Sequence, residues 1–206
     1  MYSKTEERWN AGSHLLGAIL GVIGLFILLT DNNSKTSYST ISIITYCFSV
    51  VLLFSASTLY HSIENVRSKS NLRKLDHISI YFLIAGTYTP VCLISLIESK
   101  GWPLFYVVWG ITAVGTLLKL FFTGKFEAIS LILYAVMGWL IVWDWEAMTS
   151  IHSSDGIFWL MLGGAFYTIG IVFYAIKKIP YNHVIWHFFV LGGAISHFLF
   201  IWKHVI

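Results

Sequence analysis

Seven apolar runs, each near the length of a bilayer crossing, divide the chain from end to end. A hydrocarbon core of about 30 Å needs roughly 20 residues of α-helix, at about 1.5 Å of rise per residue. The runs cover Gly12–Leu29, Thr40–Ser62, Leu75–Ile97, Pro103–Phe122, Ala128–Trp145, Ile157–Ile176 and His183–Trp202. Polar residues, charges, glycine or proline fill each gap. The thinnest gap is Thr123-Gly124-Lys125-Phe126-Glu127, yet fusing its neighbours would make a helix about twice a bilayer span. Charged residues make up only 11% of the chain, against about 25% in a soluble domain, too few to clothe a globular surface. Helices satisfy their backbone groups internally, as lipid demands. The expectation is an all-α, polytopic seven-helix bundle forming a single membrane domain over residues 1–206, with no separate extramembrane unit.

Smaller features fit this frame. Cys47 and Cys92 lie inside apolar runs and read as small core residues, not as a disulfide. The first run follows Glu6, Glu7 and Arg8 and lacks a small-residue cleavage site, so it reads as a membrane helix and not a leader. Gly17, Gly21 and Gly24 in the first helix, Gly163-Gly164 in the sixth and Gly192-Gly193 in the seventh suggest close helix contacts. Pro90 is expected to kink the third helix.

Lysine and arginine set the orientation. With the amino terminus in the cytoplasm, the inner segments hold Lys4, Arg8, Arg67, Lys69, Arg73, Lys74, Lys125, Lys177 and Lys178. The outer ones hold only Lys35, Lys100 and Lys203. Lys119 falls inside a span near its inner end. The acids Asp144, Glu146 and Asp155 then lie outside, beside a belt of Trp102, Trp143, Trp145, Trp159 and Trp202. The carboxyl terminus is expected outside. The basic residues sit in short loops between apolar runs, which does not suit nucleic-acid binding.

Histidine played no part in that topology, yet five of the eight histidines fall at the inner ends of helices: His14, His61, His77, His183 and His187. Asp76 shares their depth, and Glu7 and Asn10 lie just before the first helix. His183 and His187, spaced i, i+4, put two imidazoles on one helix face. His61 could add a third nitrogen from the second helix. Three protein nitrogens with an open position is the pattern of a catalytic zinc site. Ser57, one turn before His61, could support Asp76, which could itself act as general base on a metal-bound water. Any one helix-end histidine is ordinarily an interfacial side chain. Ionisable groups gathered within membrane spans are costly and point to function. His197, ten residues past His187, lies about 15 Å deeper and cannot share the ion; it is expected to hydrogen-bond within the bundle or to line a cavity. His152 and His204 read as ordinary outer-face residues.

The run Glu7-Arg8-Trp9-Asn10-Ala11-Gly12-Ser13-His14 resembles the E-x-x-N-x-x-S/T-H opening of the hemolysin III family. Ser57-Thr58-Leu59-Tyr60-His61, Leu75-Asp76-His77, and His183-Val184-Ile185-Trp186-His187 with His197 resemble its later motifs, nearly end to end. That family is the bacterial branch of the progestin and adipoQ receptors and is grouped with alkaline ceramidases as membrane metal-dependent hydrolases. The resemblance implies a zinc ion held by His61, His183 and His187, with Asp76 bound through water and Ser57 supporting it. It implies hydrolysis of a lipid amide or ester, with a membrane lipid as substrate or ligand. The chain lacks the long amino-terminal region of the animal receptors, which weighs against receptor-style partners. Two other readings stand beside this one. The first is a haemolysin III-type cytolytic, pore-forming protein, as the family name suggests, although no secretion signal is evident. The second is a non-enzymatic regulator of membrane lipid homeostasis with a structural zinc. A transporter fits less well, because the ionisable groups gather at one face.

Overall fold

A computed structural model describes residues 2–122 and 127–206. Among them are seven helices long and apolar enough to cross a membrane: α1 (Lys4–Thr30), α2 (Ser39–Ser62), α3 (Val66–Ser95), α4 (Gly101–Phe122), α5 (Glu127–Ile151), α6 (Ser154–Ala175) and α7 (Asn182–Val205). No strand occurs among the described residues. The thin gap at Thr123–Phe126, with Lys125, lies outside the described residues.

The helices overrun several apolar runs because capping residues start them in water. Ser3 and Glu6 form a capping box: the Ser3 hydroxyl accepts from the Glu6 N–H, and the Glu6 carboxylate accepts from the Ser3 N–H. The box starts α1 eight residues before the expected Gly12. Asn65 caps α3 by accepting from the Ser68 N–H at 3.1 Å, so the helix starts at Val66, nine residues before the expected Leu75. Asp76 therefore lies in the third turn of its helix and not at its start. Pro90 leads into a π-helical turn at Val91–Ser95, so α3 continues past the proline in altered register. Within α5 a 3-10 turn, Leu140–Asp144, joins two α-helical pieces. Asp144, expected among the outside acids, is buried there, accepting from the Ser99 hydroxyl and the Lys100 N–H.

The third helix is the axis of the bundle. In its most apolar 18-residue stretch 72% of residues are buried, against 56% in α2, 50% in α7 and only 17% in α6. The remaining apolar surface, such as Phe26, Phe48, Val114 and Phe121, faces outward, as lipid contact requires. Glycines bring the helices close. A Cβ on Gly21 would stand 2.9 Å from Val50, and one on Gly24 would stand 2.8 Å from the Phe198 ring, so α1 lies tight against α2 and α7. Gly163 meets the His197 ring, whereas neighbouring Gly164 faces open space. The two cysteines are buried and free.

Candidate metal centre

The end of α2 and the first two turns of α7 meet beneath the start of α1. Asn182 anchors α7 by donating its side-chain N–H to the Phe173 carbonyl of α6 at 3.0 Å. From there the i, i+4 spacing turns His183 and His187 to one face, toward His61. The His183 Nε2 lies 3.3 Å from His61 Nε2 and 3.2 Å from His187 Nε2. All three rings are buried, and one nitrogen from each lies within 4.8 Å of the others, a set that could hold a metal ion.

The outer nitrogens settle what the inner ones offer. His187 Nδ1 lies 3.1 Å from the Asn10 carbonyl oxygen, which can only accept, so Nδ1 carries the proton. His61 Nδ1 lies against the Glu7 carboxylate and donates to it in the same way. In the neutral imidazoles both Nε2 atoms then present lone pairs toward His183. Converging lone pairs repel unless something positive lies between them. Imidazole nitrogens about 2.0–2.1 Å from a tetrahedral ion would be separated by about 3.3–3.4 Å. The two spacings observed fit that edge.

Around the three rings the protein is densely built. Tyr2 stacks on His183 at 4.7 Å, and His14 stacks on His187 at 3.7 Å. Burial, first, and then the nearby Tyr60, Glu7 and Glu6 push the Tyr2 hydroxyl up to about 12, so it stays a neutral phenol. Neither ring nitrogen of His14 has a hydrogen-bond partner among the described residues, although both are buried. Beside the centre opens a cavity of about 480 Å³ between α2, α3, α5, α6 and α7. Asp76 and Ser57 both line it. The Asp76 carboxylate lies 3.5 Å from His77 Nδ1 and is not one of the closely grouped metal-binding set. No hydrogen bond joins Ser57 to Asp76 among the described residues; both side chains face the cavity instead. The deep end reaches His197, which donates from Nε2 to the Leu160 carbonyl at 3.2 Å.

This geometry can be set beside known proteins. The haemolysin-III related family profile matches residues 2–198. The chain belongs to that family. It is 39% identical to the Hemolysin-3 homolog of Bacillus subtilis (strain 168), over 96% of this chain and 93% of that protein. It is 38% identical to Hemolysin-3 of Bacillus cereus, over 98% of this chain and 92% of that protein. A more distant relative is the human Monocyte to macrophage differentiation factor, 28% identical over 97% of this chain and 84% of that one. This haemolysin-III related protein is thus a multi-pass integral membrane protein of the bacterial cell membrane.

In this member of the haemolysin-III related family, Glu7, which position and motif place beside the histidines, is the participant to which the sequence assigned no role. Its carboxylate also accepts from Lys69 Nζ at 2.7 Å, which ties α1 to α3 as well as to α2. Glu7, Asn10 and His14 are spaced i, i+3, i+7 and form one stripe of α1. The Ser3-x-x-Glu6 pattern carried the signal, because it extends the helix back across Glu7. Among the outer-face residues, His152 is buried, which pushes its imidazole down to about 4, and His204 lies 3.3 Å from Asp155.

Proposed function

We propose that this protein is a zinc-dependent membrane hydrolase that cleaves an amide or ester bond of a membrane lipid. The observation that carries the reading is the convergence of three buried Nε2 atoms at metal-binding spacing, two with oriented outer nitrogens, beside a cavity large enough for part of an acyl chain. Imidazole donors without thiolates suit zinc, and three of them leave a fourth position free, as catalytic sites do. When bound, a divalent ion supplies Lewis acidity to a carbonyl and makes water more acidic.

The chain's own residues do the rest. His61, His183 and His187 hold the ion. Glu7 and Asn10 fix two of the three rings. Asp76, near the centre but outside the close set, accepts the proton of the attacking water and returns it to the leaving amine or alcohol. The carbon–oxygen bond to water forms and the carbon–nitrogen or carbon–oxygen bond to the leaving group breaks, with no net change in protons. Ser57 borders the space where the head group would lie. The apolar cavity wall excludes water and takes the acyl chain.

A non-enzymatic reading, with zinc tying α2 to α7 in a lipid-responsive bundle, uses the same histidines. The set-back position of Asp76 favours the catalytic reading, since a closed structural site wants four protein ligands. A cytolytic role draws on the names of the Bacillus relatives and on no feature of the cavity. Elemental analysis of detergent-purified protein tests the proposal. About one zinc per chain is expected, as a single three-histidine site would hold, and the His183→Ala, His187→Ala double variant should have lost it. Native protein that carries no zinc would remove the hydrolase reading altogether.

A further inference from the structure

Chemistry is unevenly spread along the cavity. Its deeper wall is apolar, with Leu83, Ile84, Ile171 and Val190, while the end near the histidines also holds Arg73 and Lys177. Neither cation is fully matched by the protein. The Arg73 guanidinium reaches one oxygen of Glu127 at 3.4 Å, and Glu127 is already held by Lys119 at 3.0 Å. The exposed Lys177 ammonium lies 4.3 Å over the Tyr174 ring and has no carboxylate within ion-pair reach among the described residues. Lys177 is exposed as a residue but partly covered where it lines the cavity, and that partial burial pushes its ammonium below its ordinary value; Glu127 draws it up, and Arg73, lining the same end, repels it and pushes it down. The cavity's own acid, Asp76, lies beside His77. An anion between Arg73 and Lys177 would relieve that repulsion.

Position narrows the class. Arg73 is three residues before Asp76 on α3, which puts it on the same face and about 4.5 Å along the axis. An anion at Arg73 therefore lies within a few bonds of whatever reacts beside Asp76. We infer that the cavity takes an acyl lipid whose head group carries anionic oxygens a few bonds from the acyl linkage, received by Arg73 and Lys177. The placing of the linkage rests on the hydrolase reading; the charge preference does not.

N-dodecanoyltaurine and N-dodecanoylethanolamine share the acyl chain and the two-carbon spacer and differ in sulfonate against hydroxyl. Their affinities are read from quenching of intrinsic tryptophan fluorescence in a neutral detergent; Trp139 and Trp186 line the cavity. The native protein should bind the taurine amide at least about 10-fold more tightly than the Arg73→Gln, Lys177→Gln variant does, while the ethanolamine amide binds both alike. The single Lys177→Gln variant, changed only at an exposed side chain, should show part of the loss even if the double variant folds poorly. Equal taurine affinity in native and variants overturns the inference, and so does an equal fall for both ligands. The preference should survive chelator treatment; if it vanishes with the metal, the anion sits on the ion and not on the cations. Millimolar inorganic phosphate should leave the lipid bound; displacement would mean a free-anion site. Zinc-free, inactive protein that keeps the preference would sink the hydrolase reading alone.

Discussion

Glu7 and the Asn10 carbonyl do for His61 and His187 what side-chain packing alone cannot: each holds the proton on Nδ1 and so points a lone pair at the shared centre. Removing such a partner usually costs metal affinity by about 10–100-fold. Glu7→Gln should therefore weaken zinc binding by about that factor in a competition titration against a chromogenic chelator. Unchanged affinity would mean that the carboxylate serves only to link Lys69. Asp76→Asn should behave in the opposite manner. It should keep most of the zinc and lose turnover, and full activity in that variant would refute its role as base. The i, i+4 pair and its companion His61 were legible in the sequence because helical spacing and membrane depth are enough to bring them near one another. The role of Glu7 was not, because reading α1 from Gly12 left it in a loop with no assigned direction.

Each helix contributes a placement that depends on where it starts and on what it packs against. A capping box and an Asn cap extended α1 and α3 into water, which put Glu7, Lys69 and Arg73 on ordered helix faces. The small residues of α6 and α7 were expected to mark close contacts, and Gly163, Gly192 and Gly193 do, while Gly164 does not. A Cβ on Gly163 would collide with the His197 ring, whereas one on Gly164 meets nothing within 4 Å. Overpacking costs about 1–3 kcal/mol, while alanine gains up to about 1 kcal/mol over glycine in a helix. Gly163→Ala should therefore lower the melting temperature in detergent, and Gly164→Ala should leave it unchanged or raise it. Equal shifts in the two variants would contradict this packing of α6 on α7. Adjacent glycines look identical in a sequence, since nothing local says which face meets the neighbour.

On the scale of the whole bundle, the centre joins residues 122 positions apart, His61 and His183, and Glu7 ties the first helix to both α2 and α3. An ion bound there is linked to folding. At about 1,000 times its dissociation constant a ligand adds about 4 kcal/mol, and in a chain of this size about 1 kcal/mol moves the midpoint by about 2–4 °C. Chelation of native protein should lower the melting temperature by roughly 10 °C on that basis. The His183→Ala, His187→Ala variant should ignore the chelator, and a native melt that also ignores it would leave the bundle independent of metal. The seven crossings, the membrane setting and the family follow from the sequence alone, because bilayer thickness sets the length of each apolar run and the motifs keep their order. The orienting partners, the buried His14 with no hydrogen-bond partner among the described residues, and the cavity with two cations at its polar end were decided only by tertiary structure. They depend on the rotation of each helix about its own axis, which packing against several neighbours determines together and no single run of residues encodes.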